Sequence, residues 1–285
     1  MEWKDNKYDL INRVKCNDKL HNLNSTLVMG VLNVTPDSFY QDSRRSDYND
    51  AMTHVHKMTQ EGVDIIDVGG VSTRPNSDLL SSKEELSRII PVISEISKTY
   101  PEILISVDTF RADVAREAVS AGAHMINDVY GGRYDNQMFD TVAKLGVPYI
   151  LMHSRGDAES MQKLTNYNDV VIDVCNELSV SIETLRSKGV KDIIIDPGFG
   201  FAKTLEHNYQ LFEGLRYLEL LDCPILVGIS RKSMIYKLLN TSPLESLIGT
   251  TILNTVAVLK KASIIRVHDV KEAKEVNKLL QALKN

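Results

Sequence analysis

The stretch SIIRVHDV, residues 263–270, is an apolar run that ends in an arginine and a histidine. Because successive side chains of a β-strand point to opposite faces, Ile264, Arg266 and His268 share one face. A strand that feeds a buried core rarely ends in two cationic or titratable groups that point the same way. A helical pattern of apolar residues follows at 270–284. The stretch therefore predicts a strand that presents polar groups at its end and leads into a helix.

The same pattern recurs along the chain. Short apolar runs predict eight strands, at 27–34, 64–69, 103–108, 124–128, 148–153, 192–196, 224–230 and 263–268. Helical patterns lie between them; one at 83–100 opens with a capping box formed by Ser82 and Glu85, and another spans 167–188. Strands that alternate with helices predict an α/β fold of parallel βαβ units. The count of eight favours a closed (β/α)8 TIM barrel over an open doubly wound sheet.

Composition sets the broad class of the protein. The chain has 285 residues, of which 43% are hydrophobic and 25% charged, as in ordinary globular proteins, so disordered and fibrous classes are excluded. Since no linker-like tract divides the sequence, we expect a single barrel domain over 26–285. Residues 1–25 are then an N-terminal extension that covers the bottom of the barrel.

Charge and cysteine usage narrow the expected partners and compartment. The formal net charge of −5 argues against a general nucleic-acid binder. The three cysteines are far apart and show no C-x-x-C spacing, which predicts neither a disulfide framework nor a zinc site and favours the reducing cytoplasm. No apolar run reaches the roughly 20 residues of a membrane span, and the N-terminus is too polar for a signal peptide. We therefore expect a cytoplasmic protein without nucleic-acid or membrane partners.

A polar residue stands at or near the end of each predicted strand. These residues are Asn33, Asp67, Asp108, Asn127, His153, Asp196, Ser230 and His268. In a parallel barrel the carboxyl ends of all strands lie on one rim, where active sites are built. A single aspartate in such a position is more often a helix cap or a turn residue. Eight polar residues on one rim predict a functional site there.

Eight short motifs extend this pattern into a family resemblance. In chain order they are MGVLNVTPDSF (29–39), DVGGVSTRP (67–75), SVDTFRADVA (106–115), IND with GG following (126–132), LMHSRG (151–156), DPGFGFAKT (196–204), SRKS (230–233) and RVHDV (266–270). The ordered series resembles the dihydropteroate synthase family from about residue 26 onward. The resemblance implies a folate-pathway transferase. Its reaction joins a dihydropterin methyl diphosphate to p-aminobenzoate by a dissociative displacement, giving 7,8-dihydropteroate and diphosphate.

The resemblance implies a pterin pocket with a polar floor. Asp108, Asn127, Met152, Asp196 and Lys232 match the family positions that bind the pterin, and all of these except Met152 are also the expected catalytic residues. A carboxylate such as that of Asp196 accepts two adjacent donors of the ring edge as a pair, and an amide suits an edge of mixed donors and acceptors. The charge of Asp108 would stabilise the cation that develops as diphosphate departs.

The diphosphate site is expected to combine cations, hydroxyls and a metal ion. By resemblance it contains Asn33, Thr73, Arg74, Arg266 and His268. Asn33 is also the expected contact of a Mg²⁺ cofactor, which keeps most of its waters and binds mainly through substrate phosphate. Such sparse protein ligation explains why the sequence shows no metal-binding cluster.

The second substrate is an aniline carboxylate. The family places its ring near Phe39, Pro75, Phe201 and Lys232, and its carboxylate at Ser233, where a predicted helix begins and free N–H groups favour an anion. The aniline amine is neutral at physiological pH, so a dedicated general base is unnecessary. The family also implies a homodimer and inhibition by sulfonamides, which mimic p-aminobenzoate.

Three alternatives remain open from the residues. A pterin-binding methyltransferase shares the barrel but has no diphosphate to hold, so it would not need Arg74, Arg266 and His268 together. A Schiff-base aldolase would need a lysine desolvated inside the barrel. A non-enzymatic barrel would have lost its rim residues. Three departures from the family pattern, YQDSRR (40–45) in the first loop, Asn76 in the second and HSRGDAESM (153–161) after the fifth strand, affect loops outside the pterin pocket.

Overall fold

The computed structural model describes residues 13–16, 19–23, 25–34, 43–71, 80–156, 160 and 163–283. Within these ranges the strands are β1 Arg13–Cys16, β2 Lys19–Asn22, β3 Leu27–Asn33, β4 Ile65–Gly69, β5 Leu104–Asp108, β6 Met125–Asp128, β7 Tyr149–Met152, β8 Ile193–Asp196, β9 Leu226–Val227 and β10 Ile264–Val267. The α-helices are α1 Ser43–Gln60, α2 Ser82–Thr99, α3 Ala112–Ser120, α4 Met138–Leu145, α5 Val170–Ser187, α6 Leu205–Glu213, α7 Ser233–Tyr236, α8 Leu247–Leu259 and α9 Val270–Ala282, with a 3₁₀ helix at Gly214–Leu221.

Strands β3 to β10 form one parallel sheet that closes on itself. Their order is β8-β7-β6-β5-β4-β3-β10-β9, and a parallel bridge between Ile195 and Ile225 joins its two ends. The Ile195 N–H donates to the Pro224 carbonyl at 2.9 Å across this seam. The predicted (β/α)8 barrel is therefore confirmed, with all eight strands in place. Only β9 is much shorter than predicted, because the chain leaves the sheet after Val227 to form the loop that carries the SRKS motif.

The starts of α2 and α5 differ from the starts that the sequence pattern predicts. The capping box of α2 uses Ser81 and Glu84, one residue before the predicted pair: the Glu84 N–H donates to Ser81 Oγ at 3.3 Å, and the Ser81 N–H donates to Glu84 Oε2 at 3.0 Å. The predicted box of Ser82 and Glu85 is therefore wrong, because Glu85 points into the core instead. Asp169 caps α5 and sets its start later than predicted, since its Oδ1 accepts from two N–H groups of the first turn.

The barrel interior is apolar at the bottom and polar at the top. Where the strands begin, their inward side chains form one apolar cluster with Val14, Cys16 and Leu23 of the β1–β2 region. The strand members of this cluster are Met29, Ile65, Leu104, Met125, Ile150, Ile194, Leu226 and Ile264. Two residues further along, the alternation of strand side chains brings polar groups to the same inner face. The β1–β2 hairpin thus seals the bottom, and the polar end faces the rim. None of the described helices is both long and apolar enough to cross a membrane.

Candidate active site

A cluster of charged groups lies at the centre of the barrel mouth. Arg266 Nε donates to Asp67 Oδ2 at 2.6 Å, and its Nη2 donates to Asp108 Oδ2 at 2.8 Å. Asn127 Nδ2 donates to the same Asp67 oxygen at 2.9 Å. Asp67 is fully buried, and its carboxylate therefore fixes both the guanidinium and the orientation of the amide. The sequence placed Asp67 on the rim but assigned it no role, although the DVGG motif begins with it.

The electrostatics of this cluster follow from its burial. Burial raises the pKa of Asp108 to about 7, against the lowering effect of Arg266, and the nearby Asp67 carboxylate adds to the rise. Burial alone would lower the pKa of Arg266, but Asp67 and Asp108 outweigh it and raise the pKa above its ordinary value. The guanidinium therefore stays charged, whereas Asp108 changes its protonation near neutral pH.

Strands β3 to β6 carry one row of rim positions that includes three predicted site residues, one for diphosphate and two for the pterin. Asn33, Gly69, Asp108 and Asn127 are register partners in turn across the four strands. A side chain at Gly69 would meet Asn33 Oδ1 and Asp108 Cγ at 3.7 Å each. The amide oxygen of Asn33 and the carboxylate of Asp108 thus border the same space, which glycine leaves open.

Asp196 ends β8 and is anchored by the turn that follows it. Its Oδ1 accepts the Gly198 N–H at 2.7 Å. Gly198 has a φ of 69°, and a Cβ there would lie 1.9 Å from the His153 carbonyl oxygen. This position therefore requires glycine, which gives the DPG motif a physical reason. Burial raises the pKa of Asp196, and the neighbouring Lys232 opposes the rise.

Lys232 lies just before α7 and faces the same turn. Its Nζ donates to the Phe199 carbonyl at 2.6 Å and lies 4.8 Å from the centre of the Phe201 ring, within the range of a cation–π contact. Burial lowers its pKa to about 8, against the effect of Asp196. Ser233 begins α7 directly after it. The structure thus brings Asp196, Phe201, Lys232 and Ser233 together on one side of the mouth.

An apolar wall stands beside these polar groups. Met152 ends β7 as the register partner of Asp196 and packs in one cluster with Phe110, Val129 and Tyr130. Phe201 packs partly buried against that cluster. Sequence reasoning missed Phe110, which lies within the SVDTF motif; a large aromatic two residues after a strand end was the available signal.

His268 lies just beyond the end of β10, two residues after Arg266 in sequence. It is exposed, and its Nδ1 is 3.0 Å from Ser230 Oγ, which also accepts the His268 backbone N–H at 3.2 Å. Partial desolvation and the Arg266 charge lower the pKa of His268 to about 4. The imidazole is therefore neutral near pH 7 and keeps a proton for donation at Nε2.

Four of the predicted site residues, Phe39, Thr73, Arg74 and Pro75, lie outside the described residues, as does Asn76. Their roles stay predictions from the resemblance. The described residues contain no group of three or more histidine, cysteine, aspartate or glutamate side chains arranged to hold a metal ion.

Comparison with known proteins gives a consistent family. A protein-family sequence model described as pterin binding enzyme matches residues 29–268 of this chain. The dihydropteroate synthase of Bacillus subtilis (strain 168) is 42% identical over 262 residues, which cover 91% of this chain and 89% of that protein. The folic acid synthesis protein fol1 of Pneumocystis carinii is 41% identical over 266 residues, and the match spans 36% of its length.

Solved structures agree with the sequence comparison. The dihydropteroate synthase of Xanthomonas albilineans, solved with 4-aminobenzoic acid, superposes with a TM-score of 0.88 at 37% identity and covers 96% of this chain and 98% of that chain. The enzyme of Yersinia pestis, solved as a sulfonamide drug complex, superposes with a TM-score of 0.88 at 38% identity, over 95% and 98% of the two chains.

Proposed function

The chain belongs to the dihydropteroate synthases of the pterin binding enzyme family, and from this membership we propose how its own residues carry out the reaction. The enzyme is a transferase of folate synthesis that joins a dihydropterin methyl diphosphate to p-aminobenzoate. The observation that best supports this assignment is the cluster of Asp67, Asp108, Asn127 and Arg266 in a barrel mouth that also presents Asp196 and Lys232. A methyltransferase or an aldolase is disfavoured, since the matched relatives are synthases.

Asp196 and Asn127 bind the edge of the pterin ring. The Asp196 carboxylate accepts the adjacent donors of the ring, while the Gly198 N–H donates to one of its two oxygens and fixes its orientation. Asn127 gives its NH₂ group to Asp67, so its carbonyl oxygen is directed at the ligand. Met152 packs against one face of the ring, and Lys232 completes the pocket.

Asp108 acts on the bond that breaks. The C–O bond to diphosphate ionises and the diphosphate leaves with the electron pair, so positive charge develops on the pterin methylene carbon. A partly buried carboxylate beside that carbon stabilises the charge more than bulk water does. The neutral amine of p-aminobenzoate then forms the new C–N bond and gives up one proton to solvent water.

Diphosphate is held at the outer part of the mouth. Arg266 of β10 and His268 just after it donate to the diphosphate, with Thr73 and Arg74 of the second loop. The amide oxygen of Asn33 fits a Mg²⁺ ion, because it borders an open space at Gly69 and hard oxygen ligands suit this ion. The metal, bound mostly by diphosphate and water, would neutralise part of the charge of the leaving group.

The p-aminobenzoate ring lies against Phe201 and Lys232, and the family resemblance adds Phe39 and Pro75 to its contacts. Its carboxylate meets Ser233 at the start of α7. Sulfonamides occupy the same place, as mimics of this substrate.

The protein acts as a cytoplasmic homodimer that uses the outer face of α8. Ile248, Ile252 and Leu259 share this face and are 74%, 57% and 57% exposed, an unusual density of apolar surface for a solvated helix. Replacing Ile252 with glutamate is expected to convert dimer to monomer in sedimentation velocity, whereas a monomeric wild type would contradict this assembly. The three cysteines are all free, which agrees with a reducing compartment.

The test of the reaction is release of diphosphate that depends on both substrates. Wild-type protein with Mg²⁺ should release diphosphate and form dihydropteroate in equal amounts, and omission of p-aminobenzoate should stop both. Release that ignores p-aminobenzoate, or no release at all, would refute the proposed function.

A further inference from the structure

The loop at residues 197–202, between β8 and α6, has an unusual pattern of carbonyl partners. Two lysines and a tyrosine hold four of its carbonyl groups. Lys203 Nζ donates to Gly198 O at 3.0 Å and Phe201 O at 3.1 Å, Lys232 Nζ donates to Phe199 O at 2.6 Å, and Tyr167 Oη donates to Ala202 O at 3.0 Å. We call this segment the lysine-held loop.

The backbone of this loop needs such support. Gly198, Gly200 and Ala202 all have positive φ angles, of 69°, 83° and 49°. A residue with a Cβ, such as Ala202, adopts this region only when its surroundings hold it there. The shape of the loop is thus imposed by its hydrogen bonds, and Phe201, one wall of the proposed p-aminobenzoate pocket, lies at its turn.

Lys203 supports the loop from beneath. Its side chain is buried, and its Nζ has a third partner, His153 Nδ1, at 3.0 Å. His153 is also buried and lies 3.1 Å from Glu177 Oε2 through its Nε2. Glu177 in turn accepts from Arg155 Nε at 2.9 Å. The ammonium therefore ends a chain of polar groups that reaches the surface at α5.

The protonation states along this chain are consistent with its geometry. Burial lowers the pKa of His153 to about 4, so the neutral imidazole accepts from Lys203 at Nδ1 and donates to Glu177 at Nε2. Burial raises the pKa of Glu177, but hydrogen bonds from His153 and Arg155 outweigh it and lower the pKa to about 2. Burial also lowers the pKa of Lys203 to about 7. The charged groups that act on Lys203 are Asp196, Lys232, Glu177 and Arg155.

We propose that Lys203 is a positioning residue for the p-aminobenzoate pocket: by holding the Gly198 and Phe201 carbonyls it fixes the Phe201 ring against Lys232. It acts through the loop and contacts neither substrate. This inference rests on the proposed function. Asp196 is less dependent on Lys203, because it belongs to β8 and its carbonyl also accepts the His153 N–H at 2.8 Å. Loss of Lys203 should therefore affect the second substrate more than the pterin.

A Schiff-base role for Lys203 does not fit this geometry. All three hydrogens of the ammonium are taken up by His153 Nδ1 and the Gly198 and Phe201 carbonyls, so none is left for a substrate carbonyl. When the ammonium loses a proton, two hydrogens remain for three acceptors, and one bond to the loop or to His153 is lost. The p-aminobenzoate pocket should consequently loosen as pH rises through about 7 and above.

The experiment is steady-state kinetics of Lys203→Met with each substrate varied in turn. The KM for p-aminobenzoate should rise about ten- to hundredfold, the size expected when the pocket loses the equivalent of one charge-assisted hydrogen bond, with a much smaller change in the KM for the pterin diphosphate. Tyr167→Phe, which removes one bond from the same loop, should raise the same KM by less. Lys191→Met is the matched control, an exposed lysine near the opposite end of β8.

If Lys203→Met does not fold, Lys203→Arg keeps the cation and should retain most of the affinity for p-aminobenzoate. Between pH 7 and 9 the wild-type KM for p-aminobenzoate should rise, and the rise should be smaller in Lys203→Arg, whose guanidinium stays protonated. Equal increases in both KM values, an unchanged KM for p-aminobenzoate in Lys203→Met, or a pH response unaltered in Lys203→Arg would overturn the inference. A wild-type enzyme that forms no dihydropteroate would instead overturn the proposed function.

Discussion

Removal of the Arg266 guanidinium should destabilise the ligand-free protein, and the loss should grow with pH. In Arg266→Met the carboxylates of Asp67 and Asp108 lose hydrogen bonds of 2.6 and 2.8 Å. Hydrogen bonds to charged groups contribute about 1.5–3 kcal/mol each, and removal of one partner from a buried ion pair costs about 3–5 kcal/mol. We therefore expect the free energy of unfolding to fall by about 3–5 kcal/mol at pH 7.

The pH dependence follows from Asp108. Its folded pKa of about 7 already lies above the unfolded value of about 4, so its contribution to stability falls as pH rises from about 4 to 7 and is then constant. Without Arg266, which lowers this pKa, the folded value rises further and the fall continues above pH 7. The difference between wild type and Arg266→Met should then grow by up to about 1.4 kcal/mol per pH unit between pH 7 and 9.

Urea unfolding followed by circular dichroism at pH 7 and pH 9 measures this difference. Arg266→Met combined with Asp108→Asn should show a smaller growth with pH, because one of the two carboxyls that lose the guanidinium is gone. Arg231→Met is the matched control, since that guanidinium pairs with Asp269 outside the cluster at 2.8 Å. A loss in Arg266→Met that is the same at both pH values would refute the role of Arg266 as the counter-ion of Asp108.

Three further predictions concern ligands. Asp196→Asn replaces an acceptor with a donor at the pterin edge and should weaken pterin binding by about 2–4 kcal/mol in calorimetry; unchanged affinity would contradict the assignment. Arg266→Met should weaken binding of the pterin diphosphate and of free diphosphate but change little for a pterin without diphosphate, and equal losses would place the arginine elsewhere. In equilibrium binding, p-aminobenzoate should bind tightly only when diphosphate and Mg²⁺ are present, because loops 29–39 and 67–75 serve both ligands; tight binding to the bare enzyme would contradict this order.

The barrel itself was predictable because its signal is repeated. Each strand is a short apolar run between helical patterns, and an error in one run would leave the other seven to define the fold. Details that depend on a single residue were less accessible. The choice of Ser81 and Glu84 as the capping pair, rather than Ser82 and Glu85, depends on which glutamate the packing of α2 buries, and both pairs fit the same sequence rule.

The residues of the candidate site were easier to predict from the sequence than the contacts between them. Strand-end position placed Asp67 and His153 on the rim, but period and spacing carry no information on which polar groups meet across the barrel. Asp67 became the centre of the cluster only through contacts with Asn127 and Arg266, which are 60 and 199 residues away in sequence. The burial of Lys203 was equally inaccessible to the sequence, because a lysine in a loop is solvated unless a distant histidine and two local carbonyls enclose it.

Arg266 and His268 are two residues apart in sequence but lie in different electrostatic surroundings. Arg266 belongs to β10, whereas His268 follows the last residue of that strand, Val267, although the sequence pattern had placed both in one strand. The inner residue, Arg266, lies among the carboxylates of Asp67 and Asp108, whereas the outer residue, His268, is neutral and exposed beside Ser230. Carboxylates stabilise the developing cation, whereas hydrogen-bond donors stabilise the departing diphosphate. Both kinds of group are therefore required within a few ångströms of one breaking bond. The permanently charged guanidinium of Arg266, between these carboxylates and the diphosphate, reduces the repulsion between them. The barrel mouth can therefore hold both kinds of negative group close to the breaking bond.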